Sequence, residues 1–204
     1  MRKLSLGGVA GPVLFSLITI VSAALQPNYN HTTSFISELG ASGSPYAPLM
    51  NYLGFVPAGL LLAAFGISLW RVTSRHILAT AGMVLVVLFG VGVAASGVMS
   101  CDPGCPVSGG SLENIIHNAI GPISFIALIC GVALLGYDFR RLPYLRPLSL
   151  YSFLTSAFAL LFMIALVGSL ETKMLTGLWQ RLLLATLFLW CAILGIRVYR
   201  YRPE

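Results

Sequence analysis

A histidine at position 117 carries the most readily imagined chemistry in this chain. Glu113 stands four residues before it and Asn114 three before it, so on a helix they share its face. The Glu113 carboxylate can then receive a hydrogen bond from the imidazole and orient it. A ring held that way is a general base, with Glu113 or Glu38 as the orienting acid. Sixteen and twelve residues upstream, Cys101 and Cys105 flank Asp-Pro-Gly, a turn that can fold the chain back so that the sulfurs meet. A structural disulfide is the expectation in an oxidising compartment. Thiol redox chemistry is the alternative, although the spacing is CxxxC and not CxxC. Metal binding would need further ligands converging on His117, for which His31, Asp102 and Glu38 are available. Nothing in the spacing demands it, so neither a metal nor another cofactor is expected.

Two further groups could meet a ligand. Gln180 and Arg181 follow Gly177-Leu178-Trp179, and Arg181 precedes an uncharged run that lasts to Arg197. An arginine there can snorkel outward or turn inward to pair with Glu38, Glu113 or a ligand anion. The stretch Asn30–Ser44, NHTTSFISELGASGS, is a polar island. Thr33 or Ser34 can cap a short helix over Ser34–Leu39, and Gly40 can end it in a left-handed conformation. Phe35, Ile36 and Leu39 would share one face and rest on the lipid interface, with Ser37 and Glu38 turned away.

The elements that must position these groups follow from composition. The 204 residues are 57% hydrophobic and only 9% charged, with a mean hydropathy of +0.90. A soluble domain has roughly 25% charged residues, because its surface must be wetted. No Asp, Glu, Lys or Arg falls between Lys3 and Glu38, Glu38 and Arg71, Arg75 and Asp102, Glu113 and Asp138, or Arg146 and Glu171. A spanning helix needs about 20 mainly apolar residues. The gaps predict an all-α bundle of six transmembrane helices in one integral membrane domain, near residues 6–26, 47–70, 77–99, 115–137, 148–170 and 179–199. Unbroken apolar runs exclude a β-barrel, whose strands alternate. The first segment has the charge pattern of a signal peptide, with Val21-Ser22-Ala23 as a cleavage site, and we read it as an uncleaved first helix.

Arg2, Lys3, Arg71, Arg75, Arg140, Arg141, Arg146, Arg197, Arg200 and Arg202 fall on one side of that topology. Of the twelve Lys and Arg, only Lys173 and Arg181 fall on the other. Lys and Arg mark cytoplasmic loops, so both termini are expected in the cytoplasm of a cell whose plasma membrane holds the protein. The net charge of +6 is thereby a topology signal. Nucleic-acid binding is excluded, since the basic residues hug helix ends without interleaved aromatics. Glu38, Asp102, Glu113, Glu171, His31, His117 and the cysteine pair all fall on the outer side.

Small residues recur within the helices, Gly59 and Ala63, Gly82, Gly90 and Gly131 among them, and favour a tight bundle over an aqueous pore. Pro57 and Pro122 should kink helices 2 and 4. Cys130 and Cys191 read as small buried hydrophobes. No acid or base is expected deep in a span, which argues against a proton-coupled pump.

Ile36-Ser37-Glu38-Leu39-Gly40, Cys101-Asp102-x-x-Cys105, His117 and Gln180-Arg181 together resemble the bacterial and archaeal membrane proteins of the domain of unknown function 998 family. The resemblance implies a six-helix bundle, distantly akin to proteins of the Frag/DRAM/Sfk type that are tied to membrane lipids. It implies no particular activity. The expectation is a membrane protein whose outer polar pocket, lined by Arg181, Gln180, Glu38, His117 and Asn114, binds a lipid or other amphiphile without catalysis. An intramembrane enzyme of lipid or isoprenoid chemistry, using His117 with Glu38 or Glu113, is the alternative. In intact cells, a Ser108→Cys variant should react with an impermeant thiol reagent, and a Thr73→Cys variant only after permeabilisation; the reverse pattern would refute the orientation.

Overall fold

The computed structural model describes residues 2–201. Arg202, counted above among the basic residues, lies outside them. The described residues form helices and contain no strand. Six helices are long and apolar enough to cross a membrane. Helix α1 is Gly7–Leu25, entered through a 3-10 turn at Arg2–Leu6. Helix α2 is Val56–Ser68, preceded by a π-helical turn at Leu49–Phe55. Helices α3 (Ile77–Ser96), α4 (Leu112–Phe139), α5 (Leu148–Gly168) and α6 (Thr176–Arg200) follow.

The helices are arranged in chain order around a ring. Each packs on the next, and α6 closes on α1. Phenylalanines fill the centre: Phe15 meets Phe55 and Phe188 edge-on with centroids 5.2 and 5.5 Å apart, and Phe89 joins Phe188 and Phe125 at 6.5 and 6.2 Å. Such offset and edge-to-face pairs add to the burial of large apolar rings. The outer surface is apolar too. Ile20, Leu60, Ile123 and Ile164 are all more than half exposed, a pattern that water penalises and hydrocarbon does not.

Close helix approach depends on missing side chains. A Cβ at Gly59 would fall 2.5 Å from Gly90 O and 2.8 Å from Ala94 Cα, and one at Gly90 would fall 2.8 Å from Gly59 O. Here α2 and α3 meet backbone to backbone, as the small-residue pattern predicts.

The two ends of the bundle differ in chemistry. At the arginine-rich end, Arg2 Nε donates to Tyr199 O at 2.8 Å, joining the two terminal segments. Tyr144, between α4 and α5, donates to Arg197 O at 2.6 Å while Arg197 stacks over its ring at 4.1 Å. The first and last described segments therefore lie at one end of the bundle. At the opposite, loop end, Ser42 N donates to Cys101 O at 2.8 Å and Leu178 N to Thr32 O at 3.0 Å. Those bonds tie the first connection on that side to the second and to the start of α6.

Four expectations need correction. Helix α4 runs beyond 115–137 because its flanking acids are helical: Glu113 accepts from Ser100 N at 2.6 Å, and Asp138 accepts from Ser74 N and Oγ. Asp138 is buried, so an acid does lie inside a span, at its arginine-rich end. Pro57 occupies the first turn of α2 and does not interrupt it. A proline has no N–H to give, and the turn before it widens to a π-helix. Cys130 is exposed on the outer surface of α4, while Cys191 is buried as expected.

Gly59→Val should cost at least about 2 kcal/mol through forced separation of α2 and α3. Thermal unfolding of the detergent-solubilised protein measures this, and Gly121→Ala serves as a control, since a Cβ there meets nothing within 4 Å.

Candidate functional site

The ISELG stretch plugs the mouth of the ring. It forms a 3-10 helix over Ile36–Gly40 with Ile36 and Leu39 buried in the main core. The lipid-interface placement expected from sequence is replaced by this inward one, because the ring interior removes the same apolar face from water and packs it tightly. Neither Thr33 nor Ser34 caps the segment. Instead Phe35 N donates to Glu38 Oε1 at 2.8 Å. Gly40 does not take the left-handed conformation. It must be glycine because Asn51 packs on its Cα, where a Cβ would collide with Asn51 Oδ1 and lie 3.0 Å from Asn51 Cγ. Asn51 Nδ2 donates to Gly40 O at 2.9 Å and to Ser100 Oγ at 3.1 Å, joining the plug to the second loop.

That loop is gripped by one face of α4. Ser111 caps the helix, accepting from Asn114 N at 3.1 Å. Asn114 is fully buried: its Oδ1 accepts from Asp102 N at 3.1 Å, and its Nδ2 donates to Pro106 O and Gly109 O at 3.1 and 2.9 Å. Asn118 adds a bond to Pro106 O at 2.8 Å. Asp102 accepts from Ser111 N and Oγ at 2.7 and 2.8 Å, and these bonds hold its carboxyl below the usual carboxylate range. Cys101 and Cys105 have Cα atoms 5.1 Å apart, within disulfide reach. Their sulfurs lie over Ser37, at 3.6 Å from its O and 3.5 Å from its Oγ.

His117 is oriented by backbone and not by an acid. Its Nδ1 lies 2.6 Å from Met99 O. A carbonyl can only accept, so Nδ1 carries the proton and a neutral ring presents a bare Nε2 lone pair. Glu113 and Glu38, the expected orienting acids, hydrogen-bond instead to Ser100 N and Phe35 N. His117 lines two adjoining cavities of about 160 and about 70 Å³, whose walls share Ser37, Gly121, Phe125 and Gln180. The larger lies between α4 and α5 under the cysteine loop, and Val167 on its rim is 55% exposed. Gln180 enters this space from α6 while its Oε1 accepts from Ile36 N at 2.8 Å.

Arg181 faces elsewhere. It lines a groove of about 290 Å³ between α1 and α6, with Phe15, Thr19, His31, Leu184 and Phe188. Phe15, Ile36 and Leu184 line both this groove and the smaller His117 cavity, so the plug forms part of the wall between them. The one outer pocket expected from sequence is two spaces divided by the plug. Arg181 Nη1 donates to Ser34 O and Gly177 O at 3.1 and 2.8 Å, and Nη2 donates to Tyr29 OH. The anticipated Glu38 partnership is absent from its hydrogen bonds, since Glu38 is occupied by the plug's own backbone. Tyr29 in turn donates to Phe35 O at 3.1 Å. Burial raises the phenol's pKa, Arg181 opposes the rise and the nearby Glu38 carboxylate adds to it, so Tyr29 stays neutral beside the cation.

With this geometry in view, a family model described as Protein of unknown function (DUF998) matches residues 9–197. The chain belongs to that family. The match takes in the plug, the cysteine loop, His117 and Gln180-Arg181, the same residues that carry the sequence resemblance. No curated protein and no solved structure is matched. Among the described residues, no three His, Cys, Asp or Glu converge as metal ligands.

Sequence reasoning missed Asn51, Tyr29 and the Met99 carbonyl. Each lies in an otherwise ordinary stretch, and its role comes from a partner far along the chain. Asn114→Ala should destabilise the protein by about 2–4 kcal/mol, because it strands several buried backbone groups at once. Thermal unfolding with hydrogen exchange across residues 101–109 measures it, and Asn118→Ala should cost less.

Proposed function

We propose that this protein binds an anionic amphiphile, entering sideways from the extracytoplasmic leaflet into the groove between α1 and α6. The observation that carries the reading is Arg181. Its guanidinium stands at the loop end of an apolar groove, and its hydrogen-bond partners are two carbonyls and a phenol, all neutral. Three of its five N–H donors are used. A cation at a membrane rim with no hydrogen-bonded carboxylate keeps its attraction for a ligand anion, and spare donors give that attraction direction. Below it, Phe15, Leu184 and Phe188 offer apolar surface for a chain. This is binding and transport-free in mechanism: the head group docks and no bond is made or broken.

On this reading the arginine-rich end faces the cytoplasm, following the positive-inside rule. The loop end then lies in an oxidising space, where Cys101 and Cys105 form a structural disulfide over Ser37. Such a link holds the loop that roofs the His117 cavity and takes no part in redox turnover.

Native mass spectrometry of protein released from micelles of equal phosphatidylglycerol and phosphatidylcholine tests the assignment. The wild type should retain the anionic lipid preferentially. Ala185→Trp, which fills the groove from an exposed position one helical turn below Arg181, should reduce that retention about tenfold with unfolding temperature unchanged, the scale of one charge-assisted hydrogen bond and its buried chain. Lys173→Ala should have no effect. Equal retention of both lipids, or an unaltered Ala185→Trp, would overturn the proposal.

A further inference from the structure

The His117 cavity has a chemistry opposite to that of the Arg181 groove. We infer that it is a second ligand site, selective for a neutral, hydroxyl-headed amphiphile such as a long-chain or isoprenoid alcohol. The inference rests on donors and acceptors whose identities the backbone dictates. Met99 O accepts a hydrogen bond from His117 Nδ1–H at 2.6 Å, which leaves Nε2 as an acceptor. Ile36 N donates to Gln180 Oε1 at 2.8 Å, which leaves both N–H groups of Gln180 Nε2 as donors. Both residues line both chambers. An acceptor from α4 and a donor from α6 lining one cavity match a group that gives one hydrogen bond and takes another, and a hydroxyl does so in little volume.

The rest of the lining sharpens the choice. No charged residue lines either chamber among the described residues; the other walls include Phe35, Phe125, Met163 and Leu166. A carboxylate or phosphate head would be desolvated here without a cation, and an ammonium without an acid. An alkane would leave the histidine lone pair and the amide unmet, a penalty that polar sites impose on ligands lacking their hydroxyl. The opening between α4 and α5, with Pro122 and Val167 at its rim, lets the head and first carbons sit inside while the remaining chain runs into lipid. Gly121 lines both chambers, and a Cβ there would meet nothing within 4 Å, so free volume lies directly over the helix backbone.

The test uses the full-length protein in phosphatidylcholine nanodiscs and four photoreactive probes with the same sixteen-carbon diazirine chain: alcohol, carboxylate, amine and hydrocarbon. The alcohol should label residues 117–125 and 163–170 about tenfold more than the carboxylate or hydrocarbon, the ratio expected when one or two buried hydrogen bonds are gained. Gly121→Leu should abolish that labelling while leaving the unfolding temperature and anionic-lipid retention intact. Gln180→Glu is the sharper variant. Its carboxylate still accepts from Ile36 N but offers no N–H and adds a negative charge, so preference should pass from the alcohol probe to the amine. Equal labelling by all probes, undiminished alcohol labelling in Gly121→Leu, or alcohol preference retained in Gln180→Glu would each overturn the site. Loss of anionic-lipid binding in Ala185→Trp with the alcohol labelling unchanged would confirm that two independent sites exist.

Discussion

A backbone group that leaves water at the rim of a bilayer must find its partner in protein, since hydrocarbon offers none. At the loop end of this bundle that requirement organises everything else. Asn114 serves Asp102, Pro106 and Gly109; Glu113 serves Ser100; Glu38 serves Phe35; Gln180 serves Ile36; Arg181 serves Ser34 and Gly177. Side chains that look like candidates for catalysis are in large part occupied with carbonyls and amides. The loops are thereby folded inward over the ring instead of standing free in solvent. Leaving any one such buried group unmet costs about 1–3 kcal/mol, a large share of a marginal stability.

The same bookkeeping creates the ligand chemistry. A side chain whose one end is spoken for presents its other end with a definite polarity. Met99 O accepts from one histidine nitrogen and leaves the other bare, while Ile36 N donates to the glutamine oxygen and leaves its amide nitrogen free. Around Arg181 the loop provides only neutral partners, so its charge remains available. Two apolar spaces on either side of one plug therefore differ in the polar groups they present. The plug residue Ile36 and its neighbour on α6, Leu184, help to keep them apart.

Below the loops the bundle is built for rigidity. Glycine contacts lock α2 to α3, and interleaved phenylalanines occupy the ring's centre. That packing leaves the spaces near the loop end shallow and laterally open, consistent with ligands that arrive through the membrane plane. At the opposite end arginines lie over aromatic faces, as Arg140 does over Phe153 at 4.8 Å and Arg2 over Tyr199 at 4.6 Å. On the proposed reading, the two ends divide labour between anchoring and recognition.

How much of this was legible beforehand depends on the range of the physics involved. Six spans, their order, and the segregation of ten basic residues follow from local hydropathy and charge, which act residue by residue. That the ISELG stretch, the cysteine pair, His117 and Gln180-Arg181 gather at one end of the bundle was also legible, because polar residues are conspicuous in an apolar chain. Their pairing was not. Glu38 and Arg181 have opposite charges and suitable positions, yet each meets a backbone group first, and that preference depends on how the loops fold over the ring. His117 and Glu113 have ideal helical spacing, but Met99, eighteen residues back, holds the ring. Sequence alone determined which residues are polar and that they gather at one end of the bundle. Tertiary structure decided which atom of each is left free, because hydrogen bonding is short-ranged and directional and its partners come from distant turns of the chain.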